Sequence, residues 1–182
     1  MRVLVIIPAK LDSKRLSNKN ILNINGKQLV EYSIEYAKQS KFTTDIIISS
    51  ENIILKSIAD KHNILFHQRD LSLCGDTEVV DVYISIVNDI NKEYDLVVCL
   101  QPDNPDRDHT LDTCINYMLN NNYDDLITIN SNFKRSGSVR IFKYDYLKQS
   151  KVSKRIGCMQ DNATDIHYES DLINVTNRLN NI

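Results

Sequence analysis

The sequence predicts an α/β fold with a mostly parallel central sheet and helices on both faces, in three layers. Two observations carry this. Short, wholly apolar runs recur along the chain, as they do in strands buried on both faces. Each early run is followed by a segment with apolar residues at helical spacing, and parallel neighbours need such crossovers.

The first apolar run, at 3–7 (VLVII), ends at Pro8 and reads as a buried strand. Residues 28–38 follow as a helix with Leu29, Ser33, Tyr36 and Ala37 at helical spacing. A second strand is expected at 45–49, a helix at 52–61 with Ile54, Ile58 and Ala59 inward, and a third strand at 64–67. Residues 77–90 put Val79, Val80, Val82, Tyr83, Ile86, Val87 and Ile90 on one broad helical face. A strand at 96–100, a helix at 110–119 and a strand at 126–129 continue the alternation. The tail is less regular: strands at 139–142 and 156–159, a short helix at 144–149 and a closing helix at 169–179. No repeat or linker interrupts the chain, so residues 1–182 are expected to form a single domain.

With 182 residues and 42% hydrophobic content the chain can build its own core, which excludes disorder or a disulfide scaffold as its basis. The 22 Lys+Arg against 24 Asp+Glu leave a net charge of −2, with no basic footprint for nucleic acid. Cys74, Cys99, Cys114 and Cys158 form no CxxC pair and read as reduced core thiols of a cytoplasmic protein. The first apolar run is too short for a membrane span or a signal peptide, so no membrane association is expected. His62, at a helix end, and His67 and His109, without a second ligand at metal spacing, are expected to be structural. Asp124-Asp125 reads as a turn.

In such folds ligands lie beyond the carboxyl ends of the strands. The segment after the first strand places Lys10, Lys14, Arg15 and Lys19 with Ser13 and Asn20 in one loop. That composition suits a polyphosphate, and on charge alone it suits a solvated basic loop equally well. It is neither a Walker A loop nor a GxGxxG turn.

The run PAKLDSKRLSNKNI at 8–21 resembles the PARGGSKRxPxKNI signature of the cytidylyltransferases that activate sialic and related nonulosonic acids. NGKQL at 25–29 is similar to NGKPL, Ser49-Ser50 to the VSTD strand end, and RDLSLCGDT at 69–77 to RPxxLAxDT. LQPDNPDR at 100–107 resembles LQPTSPLR, and TDIHYESDL at 164–172 the closing IDIDTxEDL. The resemblance spans nearly the whole chain and implies a Rossmann-like nucleotidyltransferase fold. It also implies attack of a sugar-acid anomeric hydroxyl on the α-phosphorus of CTP, with pyrophosphate leaving and a CMP-sugar formed for cell-surface glycan synthesis. By the same resemblance Lys10, Ser13, Lys14 and Lys19 hold the triphosphate. Asn20, Arg69, Gly75 and Asp76 line the nucleoside pocket, and Gln101 and Asn104 face the acceptor.

Four departures modify these expectations. Lys10 replaces an arginine and loses its bidentate fork, and Leu11-Asp12 replaces a Gly-Gly pair; both changes predict weaker triphosphate binding. The paired aspartates of the closing motif appear as Asp165 and His167. Gln101-Pro102-Asp103-Asn104-Pro105 also resembles the QGDxP segment of 3-deoxy-octulosonate cytidylyltransferases, where the aspartate binds metal. The expected metal site is therefore Asp103 and Asp165 with His167 nearby, holding Mg²⁺ or Mn²⁺, with Lys10, Lys19, Asp103 and Asp165 as the catalytic set; a turn-capping Asp103 is the alternative. Finally, the family's dimerisation arm is nearly absent, leaving only Asn130 to Ser136, with Lys134 and Arg135 to meet a carboxylate. A homodimer built on that arm is therefore not expected from this segment. A partner subunit, a smaller acceptor or a non-catalytic nucleotide-binding paralogue are the competing readings.

Overall fold

The computed structural model describes residues 1–11, 13, 15–75 and 77–180. Asp12, Lys14 and Asp76, two of them expected nucleotide contacts, lie outside the described residues. The main sheet contains β1 (Val3–Pro8), β4 (Thr43–Ser50), β5 (Leu65–Gln68), β6 (Leu96–Cys99), β7 (Asp125–Ile129), β8 (Arg135–Lys143) and β9 (Ile156–Gln160). Their order is β5-β4-β1-β6-β8-β7-β9. Pairings β4–β5, β1–β4, β1–β6 and β7–β9 are parallel, and β8 runs antiparallel to both its neighbours. A small hairpin, β2 (Asn23–Ile24) and β3 (Lys27–Gln28), stands apart, turning through Asn25 and Gly26 at positive φ.

The helices are α1 (Leu29–Lys38), α2 (Ile53–Lys61), α3 (Val79–Asp89), α4 (Leu111–Asn120), α5 (Tyr144–Lys148) and α6 (Glu169–Leu179). Alternate residues of the central strands point to opposite faces, which makes two cores. Val3, Val5 and Ile7 of β1 join Val30 and Ile34 of α1, Leu55 of α2 and Ile115 of α4. Leu4 and Ile6 of the same strand join Val82 and Ile86 of α3 and Leu147 of α5. A third, smaller cluster packs α6 through Val175 against Ile24, Leu29 and Ile166.

Several local expectations are corrected. Ile54 is 44% exposed and Leu55 is fully buried. The Asn52 side chain caps α2 at the Ile54 N–H, and Leu55, Ile58 and Ala59, spaced i, i+3 and i+4, form its buried face. The helix expected from residue 77 begins at Val79, because the Thr77 hydroxyl is spent on the Ser72 and Cys74 carbonyls. Only Cys99 and Cys114 are core thiols; Cys74 is half-buried and Cys158 is exposed on edge strand β9. Asp124 and Asp125 are not a solvated turn: Asp124 bonds Lys143 and Arg155, and Asp125 forms a two-point pair with Arg140. His62, as expected, is structural, bonding Glu31 at 2.7 Å.

The strand order reverses at β1. From β1 the chain moves outward to β4 and β5, then crosses through α3 to β6 on the other side. Loops leaving β1 and β6 therefore part from each other at their carboxyl ends, and this crevice is where open α/β sheets take ligands.

Glu31 opens the first turn of α1 and is 5% exposed. Burial raises its carboxyl pKa, but hydrogen bonds from Lys61, His62 and the Gln28 N–H outweigh that and bring it down to about 2. A carboxyl whose folded pKa is depressed contributes stability above its unfolded pKa and loses it as pH falls through the folded one. Glu31→Gln is expected to cost about 1–3 kcal/mol at neutral pH in urea unfolding. It should also flatten the decline of stability between pH 4.5 and about 2.

Candidate active site at the sheet switch point

A cleft of about 380 Å³ opens at this crevice. Its floor and walls come from the loop after β1 (Lys10, Ser13, Arg15, Lys19, Asn20), the segment after β5 (Arg69, Cys74, Gly75) and the loop after β6 (Gln101, Asp103). Leu73, Val79 and Val82 supply an apolar wall. The structure thus brings together every expected nucleotide contact among the described residues. Arg15, to which no separate role was assigned from sequence, lines the same cleft.

The basic loop is closed on itself. Asn18 at φ 53 turns the chain into a 3₁₀ turn at Lys19–Ile21, and Asn20 Nδ2 donates to the Lys10 carbonyl at 2.7 Å. Leu11, in the position of a family glycine, is buried in the main core, and its N–H donates to Glu51. The leucine thus anchors the loop by packing. Lys10 Nζ donates to the Gly75 carbonyl at 3.1 Å, tying the two basic walls together. Gly75, at φ 74, takes a backbone conformation that side chains rarely adopt. Arg69 is buried, and its guanidinium donates to the Ser49 carbonyl at 2.6 Å, so it supports the β4 strand end as well as lining the cleft.

Beside the basic loop, joined to it through Lys19, sits a carboxylate pair. Asp103, Asp165 and His167 each offer a ligand atom, and these atoms lie within 4.8 Å of one another. Lys19 Nζ donates to Asp103 Oδ2 and to the Ile166 carbonyl, both at 2.6 Å. His167 Nε2 lies 2.9 Å from Asp165 Oδ2. Burial, then the neighbouring Asp103 charge, push the Asp165 carboxyl above its usual range, against the pull of His167, Lys19 and Arg15. Asp103 Oδ1 and His167 Nδ1 are buried without a hydrogen-bond partner among the described residues. Two acidic groups and an imidazole in contact, with unpaired lone-pair atoms, form a donor set that fits a divalent cation.

Two segments distant in sequence are clamped to make this pair. The Ile166 N–H donates to the Asp103 carbonyl at 3.0 Å. Buried Asp106 accepts both the N–H and the hydroxyl of Thr164 at 2.7 Å, and Arg178 of α6 closes on it at 3.1 Å. Asn104, expected to face the acceptor, belongs to this clamp instead: it is fully buried and donates to the Thr164 carbonyl. A side chain turned inward two residues after Pro102 leaves Asp103 to face the cleft.

Gln101 does line the cleft, and two residues not singled out from sequence hold it there. Arg107 donates to its carbonyl at 2.8 Å and to Ser138 of β8, with the guanidinium stacked 4.9 Å from the Tyr36 ring. Gly137 receives the Gln101 N–H on its carbonyl and leaves its own Cα face to the Gln101 amide, where a Cβ would fall 2.1 Å from Oε1. The β7–β8 connection is a tight turn in which Asn130 bonds the Lys134 carbonyl, and Phe133 at its tip is 84% exposed. Neither Lys134 nor Arg135 is among the described residues that line the cleft.

A mostly parallel sheet with a switch-point cleft, one cationic loop and an adjoining acidic pair defines a nucleotide-handling α/β protein. The family profile described as Cytidylyltransferase matches residues 4–154, and the chain belongs to that family. It is 28% identical over 163 residues to N-acylneuraminate cytidylyltransferase of Escherichia coli O18:K1:H7, covering 84% of this chain and 39% of that one. It is 38% identical over 105 residues to pseudaminic acid cytidylyltransferase of Campylobacter jejuni, covering 55% and 45%. The chain thus spans less than half the length of these curated relatives. In fold it is similar to a CMP:2-keto-3-deoxy-manno-octonic acid synthetase solved with CTP, with TM-score 0.77 and 13% identity, covering 100% of this chain and 99% of that one. Among the described residues no helix is long and apolar enough to cross a membrane.

The clamp makes a stability prediction. Asp106→Ala removes the acceptor of the Thr164 N–H and hydroxyl and one of several Arg178 partners, and is expected to cost about 1–3 kcal/mol in denaturant unfolding. Gly137→Ala meets only the mobile end of a side chain, so it should fold with a change under about 1 kcal/mol. It should nevertheless move the Gln101 side-chain amide resonances in an NMR spectrum.

Proposed function

We propose that the chain is a CTP-dependent cytidylyltransferase that activates a 2-keto-3-deoxy sugar acid of the sialic, nonulosonic or octulosonic type, forming its CMP-sugar. The observation that carries this reading is a switch-point cleft lined by the basic loop after β1 and by Asp103, with Asp165 and His167 clustered beside Asp103. Family membership and the sugar-acid cytidylyltransferases among its relatives support it.

In this reading Lys10, Ser13, Arg15 and Lys19 hold the triphosphate, with Lys14 added from the resemblance. Their charges neutralise the pyrophosphate that departs. Asn20, Arg69 and Gly75 line the nucleoside end, with Asp76 added from the resemblance. The acceptor hydroxyl forms a bond to the α-phosphorus as the bond from that phosphorus to the bridging oxygen of the β-phosphate breaks. Gln101, held by Arg107 and Gly137, orients the acceptor. Asp103, Asp165 and His167 would hold a divalent cation, Mg²⁺ or Mn²⁺, which when bound supplies charge neutralisation at the phosphates. Lys19 keeps Asp103 oriented before substrates arrive and can hand part of its hydrogen bonding to phosphate oxygen.

The same Lys19–Asp103 contact favours a second reading. An ammonium already seated on the carboxylate, together with the short β7–β8 turn, suits a nucleotide-binding paralogue or a subunit whose acceptor side is completed by a partner. Pyrophosphate release with CTP, tested with sialic, legionaminic, pseudaminic and 3-deoxy-octulosonic acids, separates the two. The transferase reading expects release with CTP and at least one acid, reduced at least ~100-fold in both Asp103→Asn and Asp165→Asn. CTP binding with no release from any acid would favour the second reading.

A further inference from the structure

The described residues hold several polar constellations outside the phosphate-facing loop. Asp89, His67 and Ser49 form a chain of contacts, but Ser49 is fully buried and reaches no substrate. Cys74 lines the cleft as a single thiol. The observation that carries furthest is the imidazole in the carboxylate pair.

The His167 backbone is held on both sides. Ile166 before it is fully buried, with its N–H on the Asp103 carbonyl and its own carbonyl on Lys19 Nζ. The His167 N–H donates to Asp171 Oδ2 at 2.9 Å, in the first turn of α6. Its ring meets Asp165 through Nε2 and stands edge-on to Tyr168 with centroids 6.5 Å apart. The other ring nitrogen is buried without a partner among the described residues, as is Asp103 Oδ1. A cation here would therefore meet a preplaced mixed set, one nitrogen and two carboxylates. Mg²⁺ retains waters and prefers oxygen, and gains little from an imidazole. First-row transition cations gain much more from it.

We infer that His167 makes this site select a first-row transition cation over Mg²⁺. The inference rests on the reading of this cluster as the cation site of the proposed transferase, but it concerns binding and needs no turnover. It also states what the Asp-to-His difference does: it changes the accepted metal, where an aspartate would make the donor set all oxygen.

The test uses Co²⁺ as the probe, followed by its visible absorption and by calorimetry, against Mg²⁺ in competition, with and without CTP. The full chain is expected to bind Co²⁺ with a nitrogen-shifted spectrum that is lost in Asp103→Asn and Asp165→Asn. His167→Asp should lower the Co²⁺-to-Mg²⁺ affinity ratio about 10–100-fold, with Mg²⁺ bound more tightly than by the unsubstituted chain. His167→Asn serves as a second variant, and thermal unfolding establishes that both are folded. An unchanged Co²⁺-to-Mg²⁺ ratio in both His167 variants would overturn the inference. So would Co²⁺ binding that survives both aspartate substitutions, or no Co²⁺ binding with or without CTP. Selective Co²⁺ binding without pyrophosphate release would keep this inference and count against the transferase.

Discussion

Two carboxylates held within 4.8 Å of each other are unfavourable unless something compensates, and the acidic side of this site depends on how Asp103 and Asp165 are kept together. Their repulsion and burial show in the raised Asp165 carboxyl. The compensation is local: Lys19 on Asp103, His167 on Asp165, and a backbone bond from Ile166 to Asp103. Further out, Asp106 and Arg178 lock the loop after β6 to the segment leading into α6. A closing helix that touches the cleft nowhere is thereby made necessary to it.

The basic wall is built differently. Leu11 anchors the loop in the core, Asn20 closes it back on Lys10, and Lys19 ties it to Asp103 and Ile166. Cations there come from two strand ends, those of β1 and β5, joined where Lys10 reaches Gly75. Both the cationic loop and the acidic pair beside it are thus fixed by contacts between segments distant in sequence, and they meet at the Lys19–Asp103 bond.

Much of this was legible in the sequence. Apolar runs such as VLVII and their helical followers gave the sheet order its raw material, and strand-end logic placed Lys10, Lys19 and Gln101 correctly at one edge. What could not be read was helix phase and side-chain direction within loops. Ile54 and Leu55 are equally apolar; Leu55 stands at i, i+3 and i+4 with Ile58 and Ala59 and takes the buried face, while Ile54 is left 44% exposed. Asn104 sits one residue from Asp103, yet one points to Thr164 and the other to Lys19. Asp106, Arg107, Gly137 and Arg178 act through partners tens of residues away, so no spacing pattern announces them. An unexpectedly long β8, running from Arg135, follows from the tight turn at Asn130, which lets pairing with β7 begin at once.

The central claim is that the cleft after β1 is a cytidine triphosphate site whose phosphate grip is the basic loop. Calorimetric titration of the full chain with CTP, ATP, GTP and UTP tests it most directly, repeated on Lys10→Ala and Arg15→Ala. The account predicts saturable binding that favours CTP and weakens about 10–100-fold in each variant, the loss of one charge-assisted contact. Equal affinity for all four nucleotides, or CTP binding indifferent to both substitutions, would contradict it.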